Sequence, residues 1–251
     1  MIAAVLQARA SSRRLPGKVL KPILGKPMLQ HQIERILRAN LPEKLVLATS
    51  VNREDDAVAN IGVACGIAVY RGSLDDVLDR FYRAAEAYKP THVVRLTGDC
   101  PLTDPALIDA VTRFAVEGGY DYASNTIRPS FPDGLDVEVA AFAALEAAWR
   151  EATSKPDREH VMPFLHRQPG RFRLGNLLNS GTDLSAMRWT VDEPADFEMV
   201  KSVYEALYPS KPDFDMSDVL AFLDANPEIA GLNSGLVRNE GYIRDVSASS
   251  D

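Results

Sequence analysis

A cluster of basic side chains follows the first apolar segment of the chain. Residues 2–6 read Ile-Ala-Ala-Val-Leu, which is typical of a buried strand. The loop after it carries cations among hydroxyl and turn residues: Arg9, Arg13, Arg14 and Lys18. Arginine pairs with phosphate oxygens through two parallel hydrogen bonds, and lysine adds a compact charge. Because ligands of open α/β sheets bind at the carboxyl ends of strands, the loop predicts a polyphosphate site.

The loop does not match the two common glycine-rich nucleotide fingerprints. Neither Gly-x-x-x-x-Gly-Lys-Ser/Thr nor Gly-x-Gly-x-x-Gly occurs in it. A phosphate site here would therefore depend on side chains more than on backbone N–H groups. The alternative interpretation is a basic loop that is simply solvated.

Two carboxylates follow later strand-like segments. Asp99 lies in Leu-Thr-Gly-Asp-Cys-Pro-Leu, after the strand predicted at 92–96, and Asp192 follows a strand-like run over 188–191. Oxygen ligands beside a polyphosphate favour magnesium, so the two residues predict a shared metal site. The alternatives are a turn residue for Asp99 and, for Asp192, the N-cap of a helix that begins at Pro194.

Weaker signals lie between these motifs. Arg71 and Ser73 follow a predicted strand and could contact a nucleobase or phosphate, although they also suit an ordinary helix start. Asn125 and the segment Pro-Asp-Gly-Leu-Asp-Val-Glu at 132–138 are polar enough to hold a sugar, with a plain Pro-Asp-Gly turn as the alternative. His160 could face a substrate, although a lone histidine is more often structural. The sequence has no Cys/His cluster typical of zinc and no Gly-x-Ser-x-Gly typical of a hydrolase triad.

Alternating strand and helix patterns predict the scaffold for these residues. Strands are predicted at 2–6, 44–48, 68–70, 92–96 and 120–123, and helices at 29–38, 75–88 and 105–116. Such alternation predicts an α/β fold with a parallel, doubly wound sheet. The pattern changes after residue 124, where we predict helices at 140–153, 158–167, 194–208 and 217–225, an edge strand at 171–178 and a returning strand at 188–191.

The composition limits the class of protein. The chain has 251 residues, of which 46% are hydrophobic, enough for one large α/β domain or one domain with an appendage. The net charge of -7 argues against a general nucleic-acid binder, which needs a basic face. No apolar run approaches the ~18 residues of a membrane span, and the two cysteines, Cys65 and Cys100, suit a reducing compartment. We therefore expect a cytoplasmic protein with neither nucleic acid nor membrane as a partner.

Several ordered motifs together resemble one known family. They are Ala-Arg-Ala-Ser-Ser-Arg-Arg-Leu-Pro-Gly-Lys at 8–18, Gly-Lys-Pro-Met at 25–28, Leu-Thr-Gly-Asp-Cys-Pro-Leu at 96–102, Phe-Pro-Asp-Gly-Leu-Asp-Val-Glu at 131–138, Arg-Glu-His at 158–160 and Trp-Thr-Val-Asp-Glu-Pro at 189–194. The set resembles the sugar-acid cytidylyltransferases, which include the synthetases of CMP-Kdo and CMP-N-acylneuraminate. It is most similar to the cytidylyltransferase-like proteins of spore-coat polysaccharide biosynthesis. The resemblance covers residues 1–225 and continues weakly through 239–242.

The resemblance implies a nucleotide-diphospho-sugar transferase fold, which is Rossmann-like with a mostly parallel sheet, flanking helices and a small insertion. We expect this domain at 1–225, with the insertion at 126–185 and a C-terminal extension at 226–251 that ends in a frayed tail. The resemblance also implies a homodimer that uses magnesium to transfer CMP from CTP to a sugar or sugar acid, with release of pyrophosphate, for cell-surface or spore-coat polysaccharide. The alternatives are a glycosyltransferase that consumes a nucleotide-sugar and a non-catalytic nucleotide- or sugar-binding protein.

The motifs and the resemblance together give the candidate site residues. Catalytic contacts with the triphosphate are expected from Arg9, Arg14 and Lys18. Nucleotide binding is expected from Ala8, Ser12, Arg71, Ser73 and Asp99, and metal binding from Asp99 and Asp192. Substrate binding is expected from Asn125, Asp136, Glu138 and His160.

The chain departs from the family pattern at two positions of the first loop. Ser11 stands where glycine is common, and its side chain would limit a close approach of the backbone to phosphate. Arg13 stands where threonine is common, and would add a phosphate contact or point to solvent. Both departures affect the expected affinity for the triphosphate and leave the expected fold unchanged.

Overall fold

The computed structural model describes residues 1–12, 14–236 and 238. The strands are β1 Ile2–Gln7, β2 Pro22–Ile23, β3 Lys26–Pro27, β4 Lys44–Ser50, β5 Ala68–Gly72, β6 His92–Thr97, β7 Tyr122–Ser124, β8 Glu138–Ala141 and β9 Leu174–Asn176. The helices are α1 Met28–Ile36, α2 Asp56–Ala64, α3 Val77–Glu86, α4 Pro105–Gly118, α5 Phe142–Glu151, α6 Lys155–His160, α7 Pro163–His166, α8 Pro194–Leu207, α9 Met216–Ala225 and α10 Pro227–Ala230. Short 3-10 turns lie at Lys18–Leu20 and Arg53–Asp55.

β1 lies inside a sheet whose strand order is β5-β4-β1-β6-β8-β7-β9. It pairs in parallel with β4 and β6, so Val5 lies opposite Val46 on one side and Arg95 on the other. β4 and β5 continue the parallel part, β8 pairs antiparallel with β6 and β7, and β9 is parallel to β7. The predicted α/β class, with a mostly parallel sheet and flanking helices, is confirmed.

The sheet separates two buried apolar clusters. Ala4 and Leu6 of β1 belong to the first cluster, to which α1, α4 and α8 contribute, and Val5 belongs to the second, to which α3, α5 and α7 contribute. Successive side chains of a strand point to opposite faces, which explains this division. Because both faces are covered, β1 is an almost continuous apolar run, as expected for an interior parallel strand. Its carboxyl end leads directly from the core to the sheet edge.

Residues 188–191, predicted as a strand, instead join two loops. The N–H of Trp189 donates to the carbonyl of Asp133 over 2.6 Å, and the N–H of Val191 donates to the carbonyl of Asp99 over 2.7 Å. These partners lie in different loops, so the segment cannot continue as a strand along either. The strand prediction was wrong. Residues 188–191 are buried between these two loops, and do not pair within the sheet.

The first of these loops approaches the segment closely. Gly134 has a φ of 107°, and a Cβ on it would lie 2.5 Å from the backbone nitrogen of Thr190. Glycine alone combines this backbone conformation with the required space. The Pro-Asp-Gly sequence therefore forms the turn that was the alternative interpretation of this segment, and it also brings the loop at 132–138 against the segment that ends at Asp192.

Two helix predictions also needed correction, and one helix of the first half was not predicted. The helix predicted at 158–167 is two short helices, α6 and α7, because Val161 between them has a φ of 72°. The helix predicted at 140–153 begins two residues later, since 138–141 extends the sheet as β8. The helix α2 had no predicted counterpart, because its sequence lacks a strong amphipathic pattern.

The later part of the chain is built onto the same sheet. The segment predicted as an insertion, 126–185, adds β8 and β9 to it and α5 to the second cluster. The segment predicted as a C-terminal extension begins between α9 and α10 and folds back, so that the amide of Asn233 donates to the carbonyl of Arg188 over 2.9 Å. The frayed tail that we predict at 247–251 lies outside the described residues. Across residues 1–12, 14–236 and 238, no helix is both long and apolar enough to cross a membrane.

Candidate functional site

Lys18 links the two carboxylates that follow separate segments of the sheet edge. Its ammonium nitrogen lies 3.1 Å from Asp99 Oδ2, 2.9 Å from Asp192 Oδ1 and 2.8 Å from the carbonyl oxygen of Val191. Lys18 opens a 3-10 turn after Gly17, whose φ of 67° suits glycine. The fold therefore brings the first loop and both predicted metal ligands to one place.

The first loop and the loop after β6 are in direct backbone contact. The N–H of Gly98 donates to the carbonyl of Gln7 over 2.7 Å, and a Cβ on Gly98 would lie only 2.8 Å from the Cβ of Ala8. Glycine permits this approach because it carries no side chain. Ala8, a predicted nucleotide-binding residue, thus lies beside the Thr-Gly-Asp segment that presents Asp99.

Lys18 and Asp99 hold each other in the charged form. Burial disfavours the ammonium of Lys18, but Asp99 and Asp192 outweigh burial and raise the pKa of Lys18. Burial also disfavours the carboxylate of Asp99, but Lys18 outweighs it and holds the pKa of Asp99 well below its usual range. At neutral pH the site therefore contains a lysine ammonium hydrogen-bonded to an ionised carboxylate.

The oxygen donors at this point fit a magnesium ion. Carboxylate oxygens of Asp99 and Asp192 already converge on one cation, the Lys18 ammonium. In the part of the chain that the structure describes, no group of three or more His, Cys, Asp or Glu side chains is placed to hold a metal. Magnesium is commonly bound by one or two carboxylates, with substrate phosphates and waters completing its shell. The two carboxylates of Asp99 and Asp192 match this mode of coordination.

Arg14 and Arg9 reach different parts of this edge. Arg14 Nη2 lies 2.8 Å from Asp192 Oδ2, and its Nε lies 3.5 Å from Glu193 Oε1. Arg9 instead pairs with Glu159 of α6 over 3.0 Å. The structure therefore places Arg14 together with Lys18 at the two carboxylates, and Arg9 on the side of α6.

In the described part of the first loop, Ser11 and Ser12 form no hydrogen bond with either of the two carboxylates. The hydroxyl of Ser12 accepts a long hydrogen bond of 3.4 Å from the N–H of Leu15. Ser11 is half-buried in the loop, and Arg13 lies outside the described residues. The expected effects of Ser11 and Arg13 on triphosphate binding stay predictions.

The helix that follows Asp192 clarifies which residue caps it. Glu193 is the N-cap of α8, and its side chain forms a capping box with Asp196. The alternative interpretation of Asp192 as that N-cap is therefore wrong. The carboxylate of Asp192 is directed instead to Lys18 and Arg14.

Arg71 and Ser73 shape the loop at the end of β5. The guanidinium of Arg71 donates to the carbonyls of Ser50 and Asn52, each over 2.9 Å, and pairs with Asp56 over 2.7 Å. The hydroxyl of Ser73 accepts the N–H of Asp76 before α3. Both residues lie at the same edge of the sheet as Lys18, because β5, β4 and β1 run parallel. Their role in nucleotide binding stays a prediction.

Three of the four predicted sugar-binding residues lie in the loop at 132–138 or bond to it, and the fourth, His160, lies on α6. The amide of Asn125 donates to the carbonyl of Leu135 over 2.8 Å and accepts the N–H of Val137 over 2.9 Å, so it holds the backbone on both sides of Asp136. Glu138 pairs with Arg95 and accepts the hydroxyl of Tyr122. His160 ends α6, next to the Glu159 that holds Arg9. Asn125 thus acts on the loop backbone, while Asp136 is the group that the loop presents.

Asp136 is paired with a residue of the C-terminal extension. Arg238 Nη2 lies 2.5 Å from Asp136 Oδ1, and Nη1 of the same residue lies 3.2 Å from the carbonyl of Phe131. Burial raises the pKa of Asp136 to about 7, although Arg238 opposes that rise. Asp136 therefore titrates near neutral pH in the folded chain.

Asp136→Asn is expected to change how stability depends on pH. A carboxyl whose pKa rises on folding contributes a stability that is complete below about pH 4 and is lost as the pH rises through about 7. The free energy of unfolding of the wild type should fall relative to that of the variant across this window, by up to about 1.4 kcal/mol per pH unit. Urea unfolding of both proteins at several pH values measures this difference. The titration of the histidines cancels from it, because both proteins contain the same histidines. Parallel pH profiles would show that Asp136 is already ionised at pH 5.

Sequence reasoning missed several residues that support the site, among them Asp55, Arg188 and Arg238. Asp55, which is 1% exposed, accepts the N–H of Ala10 over 2.6 Å and the hydroxyl of Ser50, so it anchors the first loop. Arg238 and Arg188 likewise hold carboxylates of the site. An acid in Asn-Arg-Glu-Asp and an arginine in Met-Arg-Trp give no signal of such partners, because the contacts connect distant parts of the chain.

Comparison with known proteins relates this chain to others of similar length. A sequence model of the family described as cytidylyltransferase matches residues 3–217. The spore coat polysaccharide biosynthesis protein SpsF of Bacillus subtilis is 33% identical over 233 residues, which cover 90% of this chain and 95% of that protein. A solved cytidylyltransferase from Leptospira borgpetersenii has a TM-score of 0.87 at 28% identity, covering 94% of this chain and 98% of that one. The CMP:2-keto-3-deoxy-manno-octonic acid synthetase solved with CTP has a TM-score of 0.63 at 19% identity, covering 81% and 98%.

Proposed function

The chain belongs to the cytidylyltransferase family, and from this premise we propose that it transfers CMP from CTP to a sugar or sugar acid, with release of pyrophosphate. The resemblance found in the sequence is confirmed by the family match, and the nucleotide-diphospho-sugar transferase fold by the superpositions. The observation that carries the proposed chemistry is the convergence of Lys18, Asp99 and Asp192 at the carboxyl edge of the sheet. The product is a CMP-sugar for polysaccharide biosynthesis, as the likeness to SpsF supports.

The first loop binds and orients the triphosphate in this proposal. Arg9, Arg14 and Lys18 contact its oxygens, and Arg14 and Lys18 release their present carboxylate partners as they do so. A hydroxyl of the sugar attacks the α-phosphorus in line, the bond to the β-phosphate oxygen breaks, and pyrophosphate leaves. The hydroxyl proton passes to water. Positioned cations stabilise the charge on the leaving pyrophosphate, and such electrostatic stabilisation supplies most of the acceleration in phosphoryl transfer.

Asp99 and Asp192 hold the magnesium ion in this arrangement. The ion, when bound, neutralises phosphate charge and favours ionisation of the attacking hydroxyl. Asp99 is suited to the role because Lys18 keeps its carboxylate ionised. Arg71 and Ser73 lie at the end of β5, where they would contact the nucleoside.

The sugar is bound in this proposal beside the loop at 132–138. Asp136 and Glu138 supply carboxylates for sugar hydroxyls, Asn125 holds the loop, and His160 approaches from α6.

The protein acts in the cytoplasm, where CTP is made, and as a homodimer. Light scattering coupled to size-exclusion chromatography measures the dimer directly.

A pyrophosphate assay tests the activity. Incubation with CTP, magnesium and a panel of neutral sugars and sugar acids is expected to release pyrophosphate with at least one acceptor, and to form a CMP-sugar in equal amount. Consumption of a nucleotide-sugar would instead indicate a glycosyltransferase. Binding of CTP without turnover on any acceptor would indicate a nucleotide-binding protein that is not an enzyme.

The choice of nucleotide has its own measurement. Thermal unfolding with magnesium and CTP is expected to occur several degrees above that with UTP or GTP, since a ligand that binds only the folded state stabilises it in proportion to the logarithm of its concentration. Magnesium without nucleotide serves as the reference. Equal shifts with CTP, UTP and GTP would contradict the choice of CTP.

A further inference from the structure

Behind the carboxylate of Asp192 lies a buried polar group, which we call the Asp192 support: Arg188, Asp196 and Asn233. Their exposed fractions are 7%, 0% and 4%. Burying charged and amide groups together is costly, and hydrophobic residues of similar volume are often as stabilising or more so. Stability alone therefore gives little reason to place a charged network here, and its contacts point to another role.

Arg188 connects the support to the side chain of Asp192. Its Nε lies 2.9 Å from Asp196 Oδ1 and its Nη2 lies 3.1 Å from Asp196 Oδ2, which is a two-point contact. The same Nη2 lies 3.2 Å from Asp192 Oδ2. Because Asp196 fixes the plane of the guanidinium, Arg188 holds one oxygen of Asp192 in place. The other oxygen of Asp192 faces Lys18 over 2.9 Å.

Asp196 connects the support to the backbone of Asp192. Its Oδ2 accepts the N–H of Asp192 and the N–H of Glu193, each over 2.9 Å. Asn233 of the C-terminal extension donates to Asp196 Oδ1 over 2.8 Å and to the carbonyl of Arg188 over 2.9 Å. Main chain and side chain of Asp192 are therefore fixed by the same three residues.

Arg188 also reaches the opposite side of the site. Its Nη1 lies 3.0 Å from Asp133 Oδ2, in the loop that presents Asp136. One guanidinium thus ties the segment that ends at Asp192 to the loop predicted to bind the sugar.

We propose that Arg188, Asp196 and Asn233 are positioning residues that fix the carboxylate of Asp192 for metal binding. The inference rests on the proposed function, since Asp192 is a metal ligand only there. Residues that orient a metal ligand contribute to affinity without touching the metal, and their loss commonly weakens metal affinity or activity by about 10–100-fold. The C-terminal extension is therefore part of the site through Asn233.

Manganese binding in the presence of CTP and without a sugar tests the inference, because no turnover then occurs. Electron paramagnetic resonance of free manganese gives the dissociation constant for the full chain. Arg188→Lys keeps the charge but loses the two-point contact, and is expected to raise that constant by about 10–100-fold. Asn233→Ala is expected to raise it by about tenfold. In both variants the magnesium concentration for half-maximal pyrophosphate release should rise in parallel. The KM for the sugar should be little changed in Asn233→Ala, because Asn233 contacts Arg188 and Asp196 and not the loop at 132–138.

Matched variants separate positioning from a general loss of stability. Arg35→Lys changes another buried arginine, whose Nε donates to the carbonyl of Thr103 over 2.7 Å. Asn226→Ala removes an amide that donates to the carbonyl of Phe222 over 2.7 Å. Both controls should lose stability and keep the manganese dissociation constant within about twofold of the wild type.

The positioning role and the proposed function are contradicted by different results. Folded Arg188→Lys and Asn233→Ala proteins that bind manganese as the wild type does would overturn the inference. If Arg188→Lys does not fold, Asn233→Ala decides it alone. A wild type that neither binds manganese with CTP nor releases pyrophosphate would overturn the proposed function instead.

Discussion

Asp99→Asn is expected to lower kcat for pyrophosphate release by about 10³-fold, equivalent to about 4 kcal/mol of activation free energy. The substitution keeps the size of the side chain and removes the negative charge that pairs with Lys18 over 3.1 Å. A neutral amide is a poor ligand for magnesium, which prefers charged oxygen donors. Steady-state release of pyrophosphate with CTP and an accepted sugar measures the loss.

Asp109→Asn provides the matched control for this prediction. Asp109 is a buried carboxylate of α4 that accepts the backbone N–H groups of Asn40 and Leu41 over 2.8–3.0 Å. Its replacement should lower the melting temperature and leave kcat within about threefold, as expected for a structural residue away from the site. Full activity of Asp99→Asn would contradict the metal assignment. An equal loss in Asp109→Asn would show that the effect reports folding.

Lys18→Met is expected to abolish most activity and to make stability depend on magnesium. The substitution leaves Asp99 and Asp192 without the ammonium that they share. Lys18 is buried, but the two carboxylates are partly exposed. The loss of the ion pairs should therefore cost about 2 kcal/mol of unfolding free energy. Magnesium alone can then take the vacated position, and should raise the melting temperature of the variant by several degrees and that of the wild type by less. Differential scanning calorimetry with and without magnesium measures this.

Lys26→Met is the control for the loss of a lysine ion pair. Lys26 pairs with Glu34 over 2.9 Å on α1 and is 38% exposed. Its replacement should change neither activity nor the response to magnesium appreciably. If magnesium stabilises Lys18→Met no more than the wild type, the two carboxylates do not form a cation site. If Lys18→Met keeps its kcat and KM for CTP, Lys18 does not bind the triphosphate.

The central triad of the site was predictable because it depends on strand ends. Lys18, Asp99 and Asp192 each follow an apolar segment that reaches the same sheet edge, so recognising the segments was enough to expect the residues together. The reason given for Asp192 was partly wrong, since residues 188–191 form no strand and reach the edge by bonding to the loops of Asp133 and Asp99. The predicted position of Asp192 was nevertheless right, because residues 188–191 are buried against the loops of Asp133 and Asp99 and so end at the same edge of the sheet as a strand would.

The supporting residues were not predictable from local patterns. Asp55 binds the N–H of Ala10, Arg238 binds Asp136, and Asn233 binds Asp196 across 45, 102 and 37 residues of sequence. A buried charge needs a partner, but its sequence neighbours do not show which one. Val161 illustrates the same limit in the backbone, because its left-handed conformation divides a helix that the sequence pattern predicts as continuous.

The sequence by itself determined the class of fold, the family, and the edge of the sheet at which the predicted site residues meet. It did so because apolar periodicity and short motifs are properties of the sequence that do not depend on how distant segments pack. Only the tertiary structure decided which side chains meet there: Lys18 between two carboxylates, Asp136 against Arg238, and Asp192 held by Arg188 and Asp196. Those choices depend on distance and burial between remote segments, and electrostatic energy depends on both.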